Sequence, residues 1–167
     1  MNRFIGTINM TTKVDNSNTI QNPVGRFMVA VGAVIANKGK ILLIKRSQKL
    51  DWHPGGWEIM YGRIAQHEDP TDGLIRELKE ELGISVAVGR PLTCWHIYRG
   101  HEETAENELV GITFLASTDQ IEITLSDEHE EYRWVTPEEA KELIKVEGIH
   151  RDIQAYIALQ GQALQAK

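Results

Sequence analysis

The chain has 167 residues, of which 41% are hydrophobic and 25% are charged, a composition typical of one globular domain with a sizeable core. Its formal net charge of −6 argues against a broad basic face for polymeric nucleic acid, and no run is apolar and long enough to predict a membrane span. Cys94 is the only cysteine, which excludes an internal disulfide and leads us to expect a cytoplasmic protein.

Residues 1–24 differ from the rest of the chain, because they are rich in Thr and Asn and alternate only weakly between apolar and polar side chains. They predict an N-terminal extension. The pattern leaves open whether this extension is an edge strand, an arm of a homodimer or a flexible segment. Residues 25–167 are predicted to form the folded domain.

Strand signals open this domain. A β-branched run over 27–35 and an aliphatic run over 41–45 flank the turn Asn37-Lys38-Gly39, which predicts a β-hairpin. Residues 57–59 predict a short strand. Further strands are predicted beyond a central helix, at 84–88, 94–98, 109–116 and 121–125.

The end of the chain carries helix signals. Thr136-Pro137-Glu138-Glu139 supplies an N-cap, a Pro at the first helical position and a capping-box Glu, so a helix is predicted to about residue 145. A final helix is predicted over 151–164. Strands, an embedded helix, more strands and then terminal helices predict an α/β fold with a mixed sheet.

The embedded helix is the best-marked element. Asp69 suits its N-cap, Pro70 its first position and Gly83 its stop, so the helix is predicted over 70–82. Gly73 inside this helix costs roughly 1 kcal/mol against Ala. That cost predicts a close approach of other atoms at this position.

Three acids cluster in this helix. At about 100° per residue, Glu77, Glu80 and Glu81 share one edge, apart from the apolar face. They would repel one another unless they were solvated or bound to a cation, and Mg²⁺ favours carboxylate oxygens. From this spacing alone, a solvated acidic face and a metal site are both open interpretations.

A longer pattern surrounds these acids. From Gly62 to Ile84 the chain reads G-x5-E-x7-R-E-U-x-E-E-x-G-U, where U is a bulky aliphatic residue. The fixed places are filled by Gly62, Glu68, Arg76, Glu77, Leu78, Glu80, Glu81, Gly83 and Ile84. This pattern resembles the Nudix box, the signature of Nudix hydrolases. The resemblance implies an α/β/α sandwich with a mixed β-sheet and the box helix on one face.

The resemblance also implies a chemistry. Nudix hydrolases cleave the diphosphate linkage of nucleoside diphosphate derivatives, using water and Mg²⁺ or Mn²⁺. The residues that would hold the metal are Glu77, Glu81, Glu80 and Glu68, with the backbone carbonyl of Tyr61. The catalytic group would comprise Glu77, Arg76, Glu80 and Glu128. In that group Arg76 orients the glutamates by charge-assisted hydrogen bonds. Glu128 is favoured over Glu130 and Glu131 as the acid of a later loop.

On the substrate side, Arg46 is expected to face phosphate, although a solvent-exposed strand end is the competing interpretation. Trp95 and His101 are expected at the nucleoside pocket, since aromatic rings stack on bases. Met60-Tyr61 and His67 depart from the residues common in the family, which are Pro-Gly and Gly respectively. If position 61 needed a positive φ, Tyr61 would bear strain or adopt another backbone.

Two other functions fit the same architecture. An isopentenyl-diphosphate isomerase depends on a catalytic cysteine just before the box, and residues 57–62 contain none. A non-catalytic nucleotide-sensing Nudix domain usually loses box acids, whereas this chain keeps all of them. Metal-dependent hydrolysis of a small nucleoside diphosphate derivative is therefore the expected function.

Overall fold

The computed structural model describes residues 26–100 and 102–165, so the predicted extension over 1–24 lies outside the described residues. Within these ranges the chain forms ten elements. They are β1 (Met28–Asn37), β2 (Lys40–Arg46), β3 (Trp57–Glu58), β4 (Met60–Arg63), α1 (Pro70–Leu82), β5 (Ala87–Tyr98), β6 (Glu108–Ser117), β7 (His129–Val135), α2 (Pro137–Leu143) and α3 (Glu147–Gln165). None of these three helices is long and apolar enough to cross a membrane.

The strands form one mixed sheet, as predicted. Its central path runs β3-β2-β1-β6-β5, with β4 also paired to β1 and β7 to β2. β1 and β6 are parallel, and the other described pairs are antiparallel. The predicted hairpin is confirmed, because Asn37 pairs with Lys40 across a two-residue turn in which Lys38 and Gly39 both have positive φ.

Two apolar layers cover the two faces of the sheet. Because side chains alternate along a strand, Val31, Ala33 and Ile35 of β1 face one layer while Val34 faces the other. The first layer packs on α1, and its helix residues are Leu74, Leu78 and Leu82. The second packs on α2 and α3, and its helix residues are Ala140, Ile149, Ile153 and Tyr156. The α/β/α sandwich is therefore confirmed, and the box helix is the one helix of residues 26–100 and 102–165 that packs on its face.

Helix boundaries agree with their capping signals. The prediction for α1 is confirmed over Pro70–Leu82: the Asp69 side chain accepts hydrogen bonds from the first turn, and Gly83 ends the helix with φ 66°. Thr136 and Glu139 form the predicted capping box of α2. The last helix begins earlier than predicted, at Glu147.

Three strand predictions were wrong in detail. The segment 121–125 is not a strand, because its backbone bonds go to α1: Thr124 N–H donates to the Leu82 carbonyl at 3.0 Å. The two strands predicted at 84–88 and 94–98 are instead the single strand β5, whose register with β6 shifts around Pro91. Strand β7 was not predicted.

Candidate active site

A cavity of about 630 Å³ opens where the box meets the start of α3. Beside several aliphatic residues, its wall contains acids, aromatic rings and arginines. The acids are Glu58, Glu77, Glu81 and Glu128, the rings are Trp52, Tyr61 and Trp95, and the arginines are Arg46, Arg63, Arg76, Arg99 and Arg151. We call Glu77, Glu81 and Glu128 the carboxyl cluster.

Packing of α1 aims part of the carboxyl cluster into the cavity. The buried leucines of α1 hold its apolar face on the sheet, which turns Glu77 and Glu81 toward the cavity wall. Gly62 makes this possible, because a Cβ there would overlap the Glu77 side chain and lie 2.6 Å from its Oε2. Gly73 has a similar reason: a Cβ there would lie 2.5 Å from Ile64 Cγ2. The close approach predicted at Gly73 is therefore confirmed.

Glu81 carries the clearest electrostatic signal in the cavity. Its side chain is 13% exposed, and its Oε2 is buried without a hydrogen-bond partner among the described residues. Burial first, and then the neighbouring carboxyl of Glu77 and the charges of Glu128 and Glu58, raise the pKa of Glu81 to about 9. A shift in this direction is what burial beside other acids produces.

The carboxyl cluster offers the type of donor atom that a hard divalent cation prefers. Its donors are carboxyl oxygens, and the unpartnered Oε2 of Glu81 is an acceptor that a cation would satisfy. In the part of the chain that the structure describes, no three His, Cys, Asp or Glu side chains are already grouped closely enough to hold one ion. A cation held by all three acids of the carboxyl cluster would therefore need their side chains to converge on a common point.

Arg76 connects the acids of the box. Its Nε and Nη2 donate to the two carboxyl oxygens of Glu68 at 2.8 and 3.0 Å, and Nη1 donates to Glu77 at 2.9 Å and Glu80 at 3.0 Å. The two bonds from Arg76 to Glu68, together with one from the Ala65 amide, lower the pKa of Glu68 to about 2. Glu68 and Glu80 bind Arg76 and are outside the cavity wall, so their roles as metal ligands stay predictions.

Only one of the three candidate acids, Glu128, belongs to a loop and reaches the cavity, because Glu130 and Glu131 lie in strand β7. Glu128 lies in the wall, and its carbonyl accepts from the Ser47 amide at 2.8 Å. Glu130 accepts from the Gln48 amide at 2.8 Å, and Glu131 pairs with Arg133 at 2.7 Å. The geometry agrees with the choice of Glu128, whose role stays a prediction.

Arg46 lies in the cavity wall rather than at a solvent-exposed strand end, since its side chain is 14% exposed. Its Nη1 binds Glu58 at 2.9 Å, and its Nε donates to the Trp52 carbonyl at 2.8 Å. His129 is buried behind this wall without being part of it, with Nε2 3.6 Å from Glu58 Oε1 and Nδ1 3.8 Å from Glu81 Oε2. Sequence reasoning missed Glu58 and His129. For Glu58 the signal was a charged residue inside the apolar segment 57–60, whereas His129 had no comparable signal in the sequence.

The two positions that depart from the usual family sequence, Tyr61 and His67, have different backbone conformations. Tyr61 lies in β4 opposite Gly32 and has an ordinary strand backbone without positive φ, so it bears no left-handed strain. His67, which stands where Gly is common, has φ 69° and occupies the left-handed region. Trp95 lines the cavity beside Tyr61, whereas His101 lies outside the described residues.

An α/β/α sandwich that directs acids from one helix into an arginine-rich cavity defines an enzyme that acts on phosphate groups. Comparison with known proteins identifies the family, because the model of the NUDIX domain matches residues 26–156. The chain therefore belongs to the Nudix family and is a pyrophosphohydrolase of phosphorus-containing acid anhydrides.

Individual relatives agree with this family membership. The chain is 30% identical to the CTP pyrophosphohydrolase of Escherichia coli over 115 residues, which cover 69% of this chain and 80% of the relative. It is 26% identical to the nucleoside triphosphatase NudI of Escherichia fergusonii, covering 64% of this chain and 79% of the relative. The crystal structure of a MutT protein from Methanosarcina mazei Go1 superposes with a TM-score of 0.68 at 26% identity, covering 83% of this chain and 98% of that one.

Proposed function

We propose that this protein uses a divalent cation, Mg²⁺ or Mn²⁺, to hydrolyse a diphosphate linkage in a nucleoside diphosphate derivative. The observation that carries the proposal is the carboxyl cluster, in which a buried Glu81 has an unpartnered oxygen and a pKa raised to about 9. Burying an acid among other acids costs stability, and such perturbed groups concentrate at binding and catalytic sites, where a bound cation would offset the cost.

The residues of the site have different proposed roles. Glu77, Glu81 and Glu128 would hold the cation, together with Glu80, Glu68 and the Tyr61 carbonyl as the family resemblance implies. When bound, the cation would supply charge neutralisation at the diphosphate oxygens. Glu77 or Glu128 would accept the proton of the attacking water. Arg76 would keep Glu77 in place through the 2.9 Å bond between them.

We further propose a nucleoside triphosphate as the substrate. Two relatives carry the names CTP pyrophosphohydrolase and nucleoside triphosphatase, and the cavity combines arginines with aromatic rings. Arg46 would face phosphate, while Trp95 and His101 would contact the nucleoside. The isomerase alternative lacks its chemistry, since Cys94 is exposed on β5 and is not part of the cavity wall.

The proposal is tested by replacing an acid of the carboxyl cluster. Glu77→Gln keeps the size of the side chain but removes its charge, so turnover of CTP and other nucleoside triphosphates with Mg²⁺ should fall by about 100-fold or more. Glu142→Gln makes the same change on an exposed face of α2 and should leave turnover unchanged. Wild-type turnover by a folded Glu77→Gln variant would contradict the proposed site.

EDTA separates the proposed enzyme from a nucleotide sensor. Turnover should stop in EDTA and return when Mg²⁺ or Mn²⁺ is added in excess. Nucleotide binding without turnover of any nucleoside triphosphate, in the presence of either cation, would instead support the sensor. Sedimentation velocity at several protein concentrations tests the predicted homodimer.

A further inference from the structure

Asp152 is a buried acid that the proposed chemistry does not use. It lies in α3 and has no exposed surface. Its two carboxyl oxygens accept three hydrogen bonds, from the hydroxyls of Tyr61 at 2.6 Å, Thr93 at 2.5 Å and Thr113 at 2.7 Å. We call these four side chains the Asp152 network.

The Asp152 network joins one helix to three strands. Its hydroxyl donors come from β4, β5 and β6, and its acceptor comes from α3. A buried carboxyl group needs such partners because it has left water. Three donors on separate strands therefore fix both the position of α3 and the directions of the donor side chains.

Two rings of the cavity wall depend on this network. The Tyr61 ring ends in a hydroxyl that Asp152 accepts directly, and the Trp95 Nε1–H donates to Thr113 Oγ1 at 3.2 Å. The rings meet edge to face, with centroids 5.8 Å apart and planes at 84°. Each ring is thus held at its polar end and packed against the other.

Two glycines leave the room that these rings need. A Cβ at Gly32 would overlap the Tyr61 ring, and a Cβ at Gly111 would overlap the indole of Trp95. Gly32 lies opposite Tyr61 in the sheet, and Gly111 lies opposite Trp95. The backbone beneath the rings and the hydrogen bonds at their ends therefore select the same arrangement.

We propose that Asp152 is a positioning residue that determines nucleobase selectivity by holding Tyr61 and Trp95 in this edge-to-face arrangement, an inference that rests on the proposed nucleoside substrate. Asp152 itself is not part of the cavity wall, whereas both rings are. Its influence on the substrate therefore passes through the rings. Bases differ in size and shape, so discrimination between them depends on how well the rings are held in place.

The test uses two variants that remove different parts of the network. Asp152→Asn replaces one acceptor oxygen by a donor, and Thr113→Val removes the hydroxyl that links Asp152 to Trp95 at nearly constant size. Thr118→Val is the matched control. Like Thr113, the Thr118 hydroxyl donates one hydrogen bond and accepts one, but its partners are Ser85 and Gln120 rather than Asp152 and Trp95.

The first measurement is kcat/KM for a pyrimidine and a purine nucleoside triphosphate. Selectivity is the kcat/KM of the better nucleotide divided by that of the poorer one. This ratio should fall by at least about fivefold in Asp152→Asn and Thr113→Val, while kcat for the better nucleotide changes by less than about threefold. Thr118→Val should keep the wild-type ratio. An equal loss for both nucleotides would show a merely structural role and overturn the proposal.

The second measurement needs no substrate. In ¹⁵N–¹H NMR spectra the indole signal of Trp95 is identified by its absence in Trp95→Phe. It should shift and exchange with solvent faster in Thr113→Val and Asp152→Asn, but not in Thr118→Val. An unchanged Trp95 signal in Thr113→Val and Asp152→Asn would overturn the proposed role of Asp152. Failure of the wild-type protein to hydrolyse any nucleotide would instead refute only the proposed function.

Discussion

Replacing Glu81 by Gln should stabilise the metal-free protein while destroying its activity. Glu81 is a buried acid whose pKa is raised to about 9 from an ordinary value of 4.5, chiefly by burial and then by neighbouring acids. The folded protein therefore keeps a proton between these two pH values that the unfolded chain has lost. The contribution of Glu81 to stability is therefore fully present below about pH 4.5 and is lost as pH rises toward about 9.

The size of the effect follows from the pKa difference. Each pH unit in this window costs about 1.4 kcal/mol, so at about pH 7.5 the penalty reaches about 4 kcal/mol at most. Gln cannot ionise and has almost the same volume as Glu. We therefore expect Glu81→Gln to raise the free energy of unfolding by about 2–4 kcal/mol, or Tm by roughly 5–15 °C.

Urea unfolding in EDTA, from about pH 5 to about pH 9, measures this directly. The wild-type free energy of unfolding should fall steadily with pH, whereas that of Glu81→Gln should be flatter. Glu142→Gln, an exposed control, should stay within about 0.5 kcal/mol of wild type. A wild-type curve without pH dependence, or a Glu81→Gln variant less stable than wild type at about pH 8, would refute the reasoning.

Three further changes test separate features of the box. Gly62→Ala should displace Glu77 and lower kcat by about 100-fold, with far-UV circular dichroism unchanged; full activity would show that Glu77 tolerates the Cβ. His67→Gly should relieve the left-handed backbone and raise the free energy of unfolding by up to about 1 kcal/mol, and a loss of stability would contradict the strain. Glu68→Gln should reduce the loss of stability that wild type shows as pH falls from about 4.5 toward 2, because the lowered pKa of Glu68 makes its own contribution fully present only above that window. Identical acid unfolding curves would exclude that contribution.

Local signals predicted the box helix well because its ends are determined by nearby residues. Asp69 accepts from the Thr71 amide at 2.8 Å, and Gly83 takes the left-handed conformation that ends the helix. Both interactions span only a few residues, so their chemistry can be read directly from the chain. The same holds for the two-residue turn at Lys38-Gly39.

Predictions failed where an apolar pattern was compatible with more than one backbone partner. The segment 121–125 has the composition of a strand, but its Thr124 amide binds the end of α1 instead of another strand. A sequence pattern shows which side chains are buried, and it does not show where the backbone hydrogen bonds go. The same limit explains why β7, which contains Glu131 and Arg133, was missed.

The sequence by itself determined the family, the box helix with its three glutamates, and the α/β order of elements. Those features depend on residue types at short, constant spacing. Only the tertiary structure decided that Glu128 lines the cavity and that Glu68 binds Arg76 with both oxygens. It also revealed that Asp152 meets the Tyr61 hydroxyl, 91 positions away in the chain, at 2.6 Å. Contacts of this kind depend on how the sheet brings distant segments together, and no local pattern encodes them.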